Sequence, residues 1–236
     1  MKYGYYSDDK IPMMTKYQDY KSNSYGYRCP EFQSTDGGKD VVVLGCSHTY
    51  AEGLEEHEGW VGQLSAKNYQ TTLRWWNLAY PGASGDFMVR VLYGTEKVLY
   101  PKIIICCWPV QSRRERLDEH PKFLYSNSTE LKIENKWTDK NNFLKNIFFI
   151  EKFAERMDAK IFHCFAEETY NLQNKNCYTK TTLKNCWPEW DKHHLSGAKR
   201  EHITEFNFAR DGVHYGVEHH RVFANNLYNV FGSKLK

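Results

Sequence analysis

Asp40-Val41-Val42-Val43-Leu44-Gly45-Cys46-Ser47-His48-Thr49 is the stretch on which the fold turns. A short run of β-branched apolar residues ending at glycine reads as a strand buried on both faces, the kind that parallel sheets contain. Lys102-Ile103-Ile104-Ile105-Cys106-Cys107-Trp108 is a clearer run of the same type, Lys160–Phe165 is another, and Thr72–Leu78 is a weaker one. Between these runs the apolar spacing becomes helical. Residues 58–68 set Trp60, Val61 and Leu64 on one face, residues 86–99 carry Phe87, Val91, Val98 and Leu99, and residues 141–157 carry Phe143, Leu144, Ile147, Ile150 and Phe153. A terminal helix is predicted over 215–231. Strand–helix alternation at this spacing predicts an α/β architecture, a parallel sheet covered on both faces.

A chain of 236 residues suffices for one sizeable α/β domain and leaves little room for a second. The polar, Tyr-, Ser- and Lys-rich residues 1–38 predict an irregular arm packed on a domain that spans 39–236. The polar stretch 166–202 predicts a cap or insertion. The net charge is +3 with scattered basic residues, so no Lys/Arg run tracks a phosphate backbone and no nucleic-acid partner is expected. No apolar stretch is long enough to span a bilayer, and the N-terminal residues lack the apolar core of a signal peptide. The seven cysteines are odd in number and form no regular framework, which predicts a reducing compartment, the cytoplasm. Cys177 and Cys186 are too far apart for a zinc knuckle, and the adjacent pairs His193-His194 and His219-His220 read as surface histidines, so no metal site is predicted.

In open α/β sheets, ligands bind beyond the carboxyl ends of the strands. Past the first strand stands Ser47, on a turn into a helix; such a serine is either a helix cap or an exposed nucleophile. Past the second stands Asn77-Leu78-Ala79-Tyr80-Pro81-Gly82-Ala83-Ser84, where the Gly82 amide is either part of an ordinary Pro-Gly turn or a donor to an oxyanion. Near the C-terminus stands Asp211-Gly212-Val213-His214. An Asp three residues before a His can accept from one imidazole nitrogen and leave the other as a base toward a serine hydroxyl. Cys46 is a weaker nucleophile candidate, and Glu52 and Glu115 either orient substrate or, the reading preferred here, are solvated or paired with arginine.

Taken together and in this order, these segments resemble the SGNH/GDSL hydrolase family. Gly45-Cys46-Ser47-His48-Thr49 is similar to its first block, with Cys46 where the family usually has Asp; Asn77–Ser84 is similar to the second, and Asp211–His214 to the last. Asn23–Glu31 is similar to a lead-in found before the first block in some members. The resemblance implies a flavodoxin-like three-layer sandwich around a central parallel sheet, and a serine esterase acting without a cofactor. It implies Ser47 as nucleophile, His214 as base, Asp211 as its orienting acid, and the amides of Ser47 and Gly82 as oxyanion donors. The substrate would be a small-molecule or glycan ester, an O-acetyl or short acyl ester among them. An acyltransferase, or a binding protein on the same scaffold, are the alternatives. The third block departs from the pattern: its Asn donor is missing from Cys107-Trp108-Pro109-Val110-Gln111-Ser112. Trp108 and Gln111 are expected to line the substrate cleft there.

Overall fold

The computed structural model describes residues 20–32, 40–68, 72–116, 122–124, 136–165, 184–185, 208–212 and 214–232. In chain order the elements are β1 (Asp40–Leu44), α1 (Ser47–Tyr50), α2 (Trp60–Lys67), β2 (Arg74–Asn77), α3 (Gly85–Gly94), β3 (Pro101–Trp108), β4 (Arg114–Arg116), β5 (Lys122–Leu124), α4 (Lys136–Arg156), β6 (Lys160–Phe165), β7 (Lys184–Asn185) and α5 (Val217–Phe231). The sheet runs β2-β1-β3-β6-β7 with every pairing parallel. β4 and β5 form a separate antiparallel pair. This is the doubly wound order in which the chain reverses direction across the sheet between β1 and β3, and the crevice there is where such folds take ligands.

Strand alternation sorts the core into two layers. Val42 and Leu44 of β1, with Ile104, Cys106 and Trp108 of β3, face α3 and α4. Val41 and Val43, with Ile103, Ile105 and Cys107, face α2 and α5. Each fully buried aliphatic side chain of this kind contributes about 1.5–3 kcal/mol of transfer free energy. The architecture is thus the predicted α/β sandwich. The helix expected over 86–99 ends at Gly94, with Thr95 as its C-cap and the Thr95 hydroxyl donating back to the carbonyls of Val91 and Leu92. The segment 20–32 lies on the sheet, with Tyr27 buried against the α3–α4 layer. The arm expected over 1–38 lies otherwise outside the described residues. So does the cap expected over 166–202, apart from the two residues of β7. Among the described residues no helix is long and apolar enough to cross a membrane.

His220 corrects the expectation of surface histidines. It is buried in the α2–α5 layer, and its Nδ1 accepts from the Trp60 amide at 3.0 Å. Trp60 opens α2, whose cap Gly59 offers no side chain, so His220 satisfies from another helix a donor that the first turn leaves unpaired. Burial, aided by the nearby His219 and His214, pushes its pKa down to about 3. Between an unfolded value of about 6.5 and that folded value, the unfolded chain binds a proton that the native chain does not. Stability is therefore full above about pH 6.5 and falls with acidification, by about 1.4 kcal/mol per pH unit, or about 2 kcal/mol by pH 5. Buried His163, whose pKa is also lowered by burial, acts with the same sign. Urea unfolding at about pH 7.5 and about pH 5 should show His220→Asn losing about 2 kcal/mol less than the wild type across that interval. Equal losses in both proteins would assign the acid sensitivity elsewhere.

Candidate active site

Ser47 is the first residue of α1, not its cap. The cap is Cys46, in extended conformation and without a side-chain capping bond. The Ser47 hydroxyl is therefore not engaged as a helix cap, the commonest structural use of a serine at a strand–helix turn. Ser47 is 6% exposed at the carboxyl end of β1, on the switch-point edge. Cys46 turns the other way, into the α3–α4 layer, where its thiol is inside the core. That orientation removes it from competition as nucleophile.

Asp211 and His214 lie on a loop pinched at its base by a bridge between Phe208 and Tyr215. The Ala209 amide donates to the His214 carbonyl at 2.7 Å, and the Gly212 amide donates to Ala209 at 3.0 Å. Within this tight loop Asp211 binds His214 twice: Oδ1 accepts from the His214 amide at 3.0 Å, and Oδ2 stands 2.6 Å from Nδ1. A carboxylate on Nδ1 fixes a proton there and leaves Nε2 as the reactive nitrogen. Arg210, on the same loop and largely exposed, holds Glu58 by two hydrogen bonds of 2.6 and 2.7 Å, and so ties the loop to the turn before α2. The Glu58 carboxyl is held at about 2 by that guanidinium.

The His214 ring meets α1 through His48, the neighbour of Ser47, with ring centroids 5.4 Å apart. Its Nε2 faces Glu52 Oε2 at 3.4 Å. Among the described residues no hydrogen bond joins His214 to the Ser47 hydroxyl. Glu52, expected either to orient substrate or to be solvated or paired with arginine, is only partly exposed and has His214 rather than an arginine beside it. Its carboxyl is pushed up by burial and by Asp211, against the pull of His214. Glu115, by contrast, is paired as expected, through two hydrogen bonds with Arg90.

Gly82 occupies the third position of a turn closed by the Ala83 amide on the Tyr80 carbonyl, at 3.0 Å. With φ of 76° after Pro81, it has the Pro-Gly signature of a type II turn, a conformation that excludes most side chains. The loop carrying it is anchored on the first strand by the Tyr80 amide, which donates to Gly45 at 3.2 Å. Asn77 stitches the same loop to α1: its Nδ2 donates to the Thr49 carbonyl at 2.9 Å.

Trp108 does not line a cleft. It is 0% exposed, in the layer between the sheet and α4, edge-on to Phe143 and stacked on His163. Its indole N–H donates to His163 Nδ1 at 2.9 Å. The expectation fails because strand parity sends Trp108 to the same face as Ile104 and Cys106, and His163 supplies the buried acceptor an indole needs. Gln111 lies in the turn after β3, partly buried, with its carbonyl accepting from Arg114 at 3.1 Å. Among the described residues no three His, Cys, Asp or Glu side chains stand together as metal ligands would.

No family model matches the chain, and no curated protein matches it in sequence. Solved structures match in fold. The psychrotrophic esterase EstA from Pseudoalteromonas sp. superposes with a TM-score of 0.51 at 15% identity, over 84% of this chain and 98% of EstA. TesA gives 0.51 at 15% identity, over 84% and 99%. LAE5, an α/β hydrolase enzyme from the metagenome of Lake Arreo, Spain, gives 0.53 at 14% identity, over 85% and 98%. At such identities the likeness establishes the fold: this chain has the parallel-sheet α/β architecture of these hydrolases.

Proposed function

We propose that the chain is a serine ester hydrolase of the SGNH type, working through an acyl-enzyme on Ser47. The observation that supports this most is the Asp211–His214 pair, with Oδ2 2.6 Å from Nδ1, set against the turn that carries a serine free of capping duty. In the reaction Ser47 Oγ attacks the ester carbonyl while His214 Nε2 takes its proton. The amides of Ser47 and Gly82 receive the oxyanion. The C–O bond to the alcohol breaks as His214 returns the proton to the leaving oxygen. Water, activated by the same nitrogen, then hydrolyses the acyl-enzyme. Asp211 orients the imidazole throughout and is not itself protonated.

The third oxyanion donor is the weak point. The family's Asn is missing, and the buried Trp108 has its N–H engaged by His163. Absence of one donor lowers turnover ~100- to 1000-fold, so a slow esterase is expected. Short acyl esters, O-acetyl esters of glycans among them, fit a serine as enclosed as Ser47. The same enclosure favours a second reading, transfer of the acyl group to a hydroxyl acceptor in place of water. The cysteines among the described residues are thiols, four of them buried, as suits a reducing compartment such as the cytoplasm.

An organophosphonate is the direct test; EstA, which shares the fold, was crystallised inhibited by monoethylphosphonate. Incubation with a fluorophosphonate should add one phosphonyl group, mapped by peptide mass spectrometry to Ser47, and an activated acetyl ester should be hydrolysed slowly. A folded protein that takes no label and turns over no ester would replace this reading with that of a binding protein on a hydrolase scaffold.

A further inference from the structure

Resting on that reading, we propose that Glu52 selects the alcohol half of the ester: its carboxylate accepts a hydrogen bond from a hydroxyl on the carbon next to the ester oxygen. The preferred substrates are then monoesters of vicinal diols, the pattern of an O-acylated sugar. In the reaction the leaving oxygen takes its proton from His214 Nε2, which brings it within hydrogen-bond reach of that nitrogen, about 2.6–3.2 Å. Glu52 Oε2 stands 3.4 Å from the same atom, without a hydrogen bond to it. Carboxylate and leaving oxygen are therefore neighbours at Nε2, and what the alcohol carries beside its oxygen comes next to Glu52. The carbonyl oxygen is held by other groups, the amides of Ser47 and Gly82, so Glu52 addresses the alcohol and not the acyl chain.

A carboxylate in this place calls for donors. Ionised, it offers about four acceptor positions and no donor. Its neighbours are supplied: Asp211 engages the amide and Nδ1 of His214, and Glu58 holds Arg210 twice. Glu52 accepts no hydrogen bond among the described residues, although its side chain is only 18% exposed. Burial pushes its carboxyl up, as befits a charge short of donors. The backbone holds it in place. Its amide donates to the Ser47 carbonyl at 3.1 Å, and Ala51 takes a left-handed conformation, φ 63°, to turn the chain there. A β-carbon on Gly53 would come within 2.7 Å of Ala209 Cβ and 2.9 Å of Asp211 Cγ, so this turn is seated directly on the loop of the base. A substrate hydroxyl thus meets an acceptor already positioned. A quaternary ammonium would instead call for aromatic faces around the carboxylate. The rings of Tyr20 and Tyr50 beside this turn already serve a cation, the Arg28 guanidinium, at 4.4 and 5.5 Å. A neutral hydroxyl is the donor that fits.

Three acetyl esters test this: 2-hydroxyethyl acetate, its methyl ether 2-methoxyethyl acetate, and acetylcholine. Release of the alcohol gives kcat/KM for each, whether water or another hydroxyl takes the acetyl group afterwards. The wild type should favour the hydroxy ester over the methoxy ester by about tenfold or more, the usual worth of a hydrogen bond to a charged group. Glu52→Gln, which keeps a weaker acceptor, should reduce that ratio severalfold, and Glu52→Ala should bring it to about one. The ratio is taken between two esters on one protein, so any effect of the substitution on Ser47 or His214 divides out. If Glu52→Ala does not fold, the near-isosteric Glu52→Gln and the wild-type ratio carry the test. A wild-type ratio near one, or a preference that survives unchanged in the variants, would overturn the proposal while leaving the esterase reading intact. Acetylcholine preferred over both other esters would overturn it in favour of a cationic alcohol. Fluorophosphonate label on Ser47 without turnover of the hydroxy ester would overturn it and keep the nucleophile. No label and no turnover of any ester would remove the esterase reading itself.

Discussion

Replacing Ser47 by alanine should abolish fluorophosphonate labelling and lower turnover of an activated acetyl ester by about 10⁴-fold or more, with no acyl-enzyme able to form. His214→Ala should cost a comparable factor, and the double variant should be no worse than either single one, because nucleophile and base act as one unit. Asp211→Asn keeps the shape of the pair but offers an amide where Nδ1–H needs a carboxylate; its effect should be severe and somewhat milder than loss of His214. Since Asp211 also accepts from the His214 amide, the Asn variant retains a partner for the loop, which separates loss of orientation from loss of the loop. Steady-state kinetics on all four variants check this. Ester hydrolysis persisting in Ser47→Ala would refute the mechanism, and with Cys46 packed in the core it would point to a reaction outside this site.

Trp108→Ala should destabilise the fold by about 3–5 kcal/mol, the usual cost of emptying a large aromatic site. A second effect adds to the cavity. His163 is fully buried, with Nδ1 accepting from the indole and Nε2 3.5 Å from Glu151, so removal of the indole strands a polar atom in the core. Trp108→Phe isolates that part: the ring volume is mostly kept while the donor is lost, for about 1–3 kcal/mol. Urea unfolding near neutral pH measures both. A cost for Trp108→Phe as large as that for Trp108→Ala would mean that the hydrogen bond, not packing, dominates. A cost under about 1 kcal/mol for Trp108→Ala would contradict the assignment of this residue to the core.

The strands were legible because their chemistry is local. Runs of Val and Ile closed by glycine or bounded by charge can be read without knowing their neighbours, and the reading of Lys160–Phe165 agrees with the observed strand at both ends. The Asp211–His214 pair was legible for the same reason, a contact across three residues. What escaped depends on partners distant in sequence. The donor–acceptor contact of Trp108 with His163 spans 55 positions, and that of Trp60 with His220 spans 160. Even so, signals for both were present. Counting by twos from Ile104 puts Trp108 on an inward face. Counting by helical steps from His220 meets Phe223, Ala224 and Leu227, all buried, so that histidine belonged to an apolar stripe. Glu52 had no such signal: five residues past Ser47 in a polar turn, it gains its meaning only when the chain returns with His214.

Arg28 has a bearing on how this molecule can vary. Its buried guanidinium donates to the carbonyls of Tyr50, Ala51 and Leu54, at 3.1, 2.9 and 2.6 Å, and stacks over the ring of Tyr20 at 4.4 Å. Five donors in a rigid fork suit this multiple grip, and lysine would not reproduce it. The contact grips the turn that follows Ser47 rather than any strand. The reactive turn is therefore supported from outside the sheet as well as from Asn77 at the end of β2. Changes at Arg28 and Tyr20 reach the turn after Ser47, whereas Tyr27 and Phe32 of the same segment pack on the core and on Trp76 of β2, so two descendants of this chain could share a superposable sheet and differ in rate through residues that never approach the substrate.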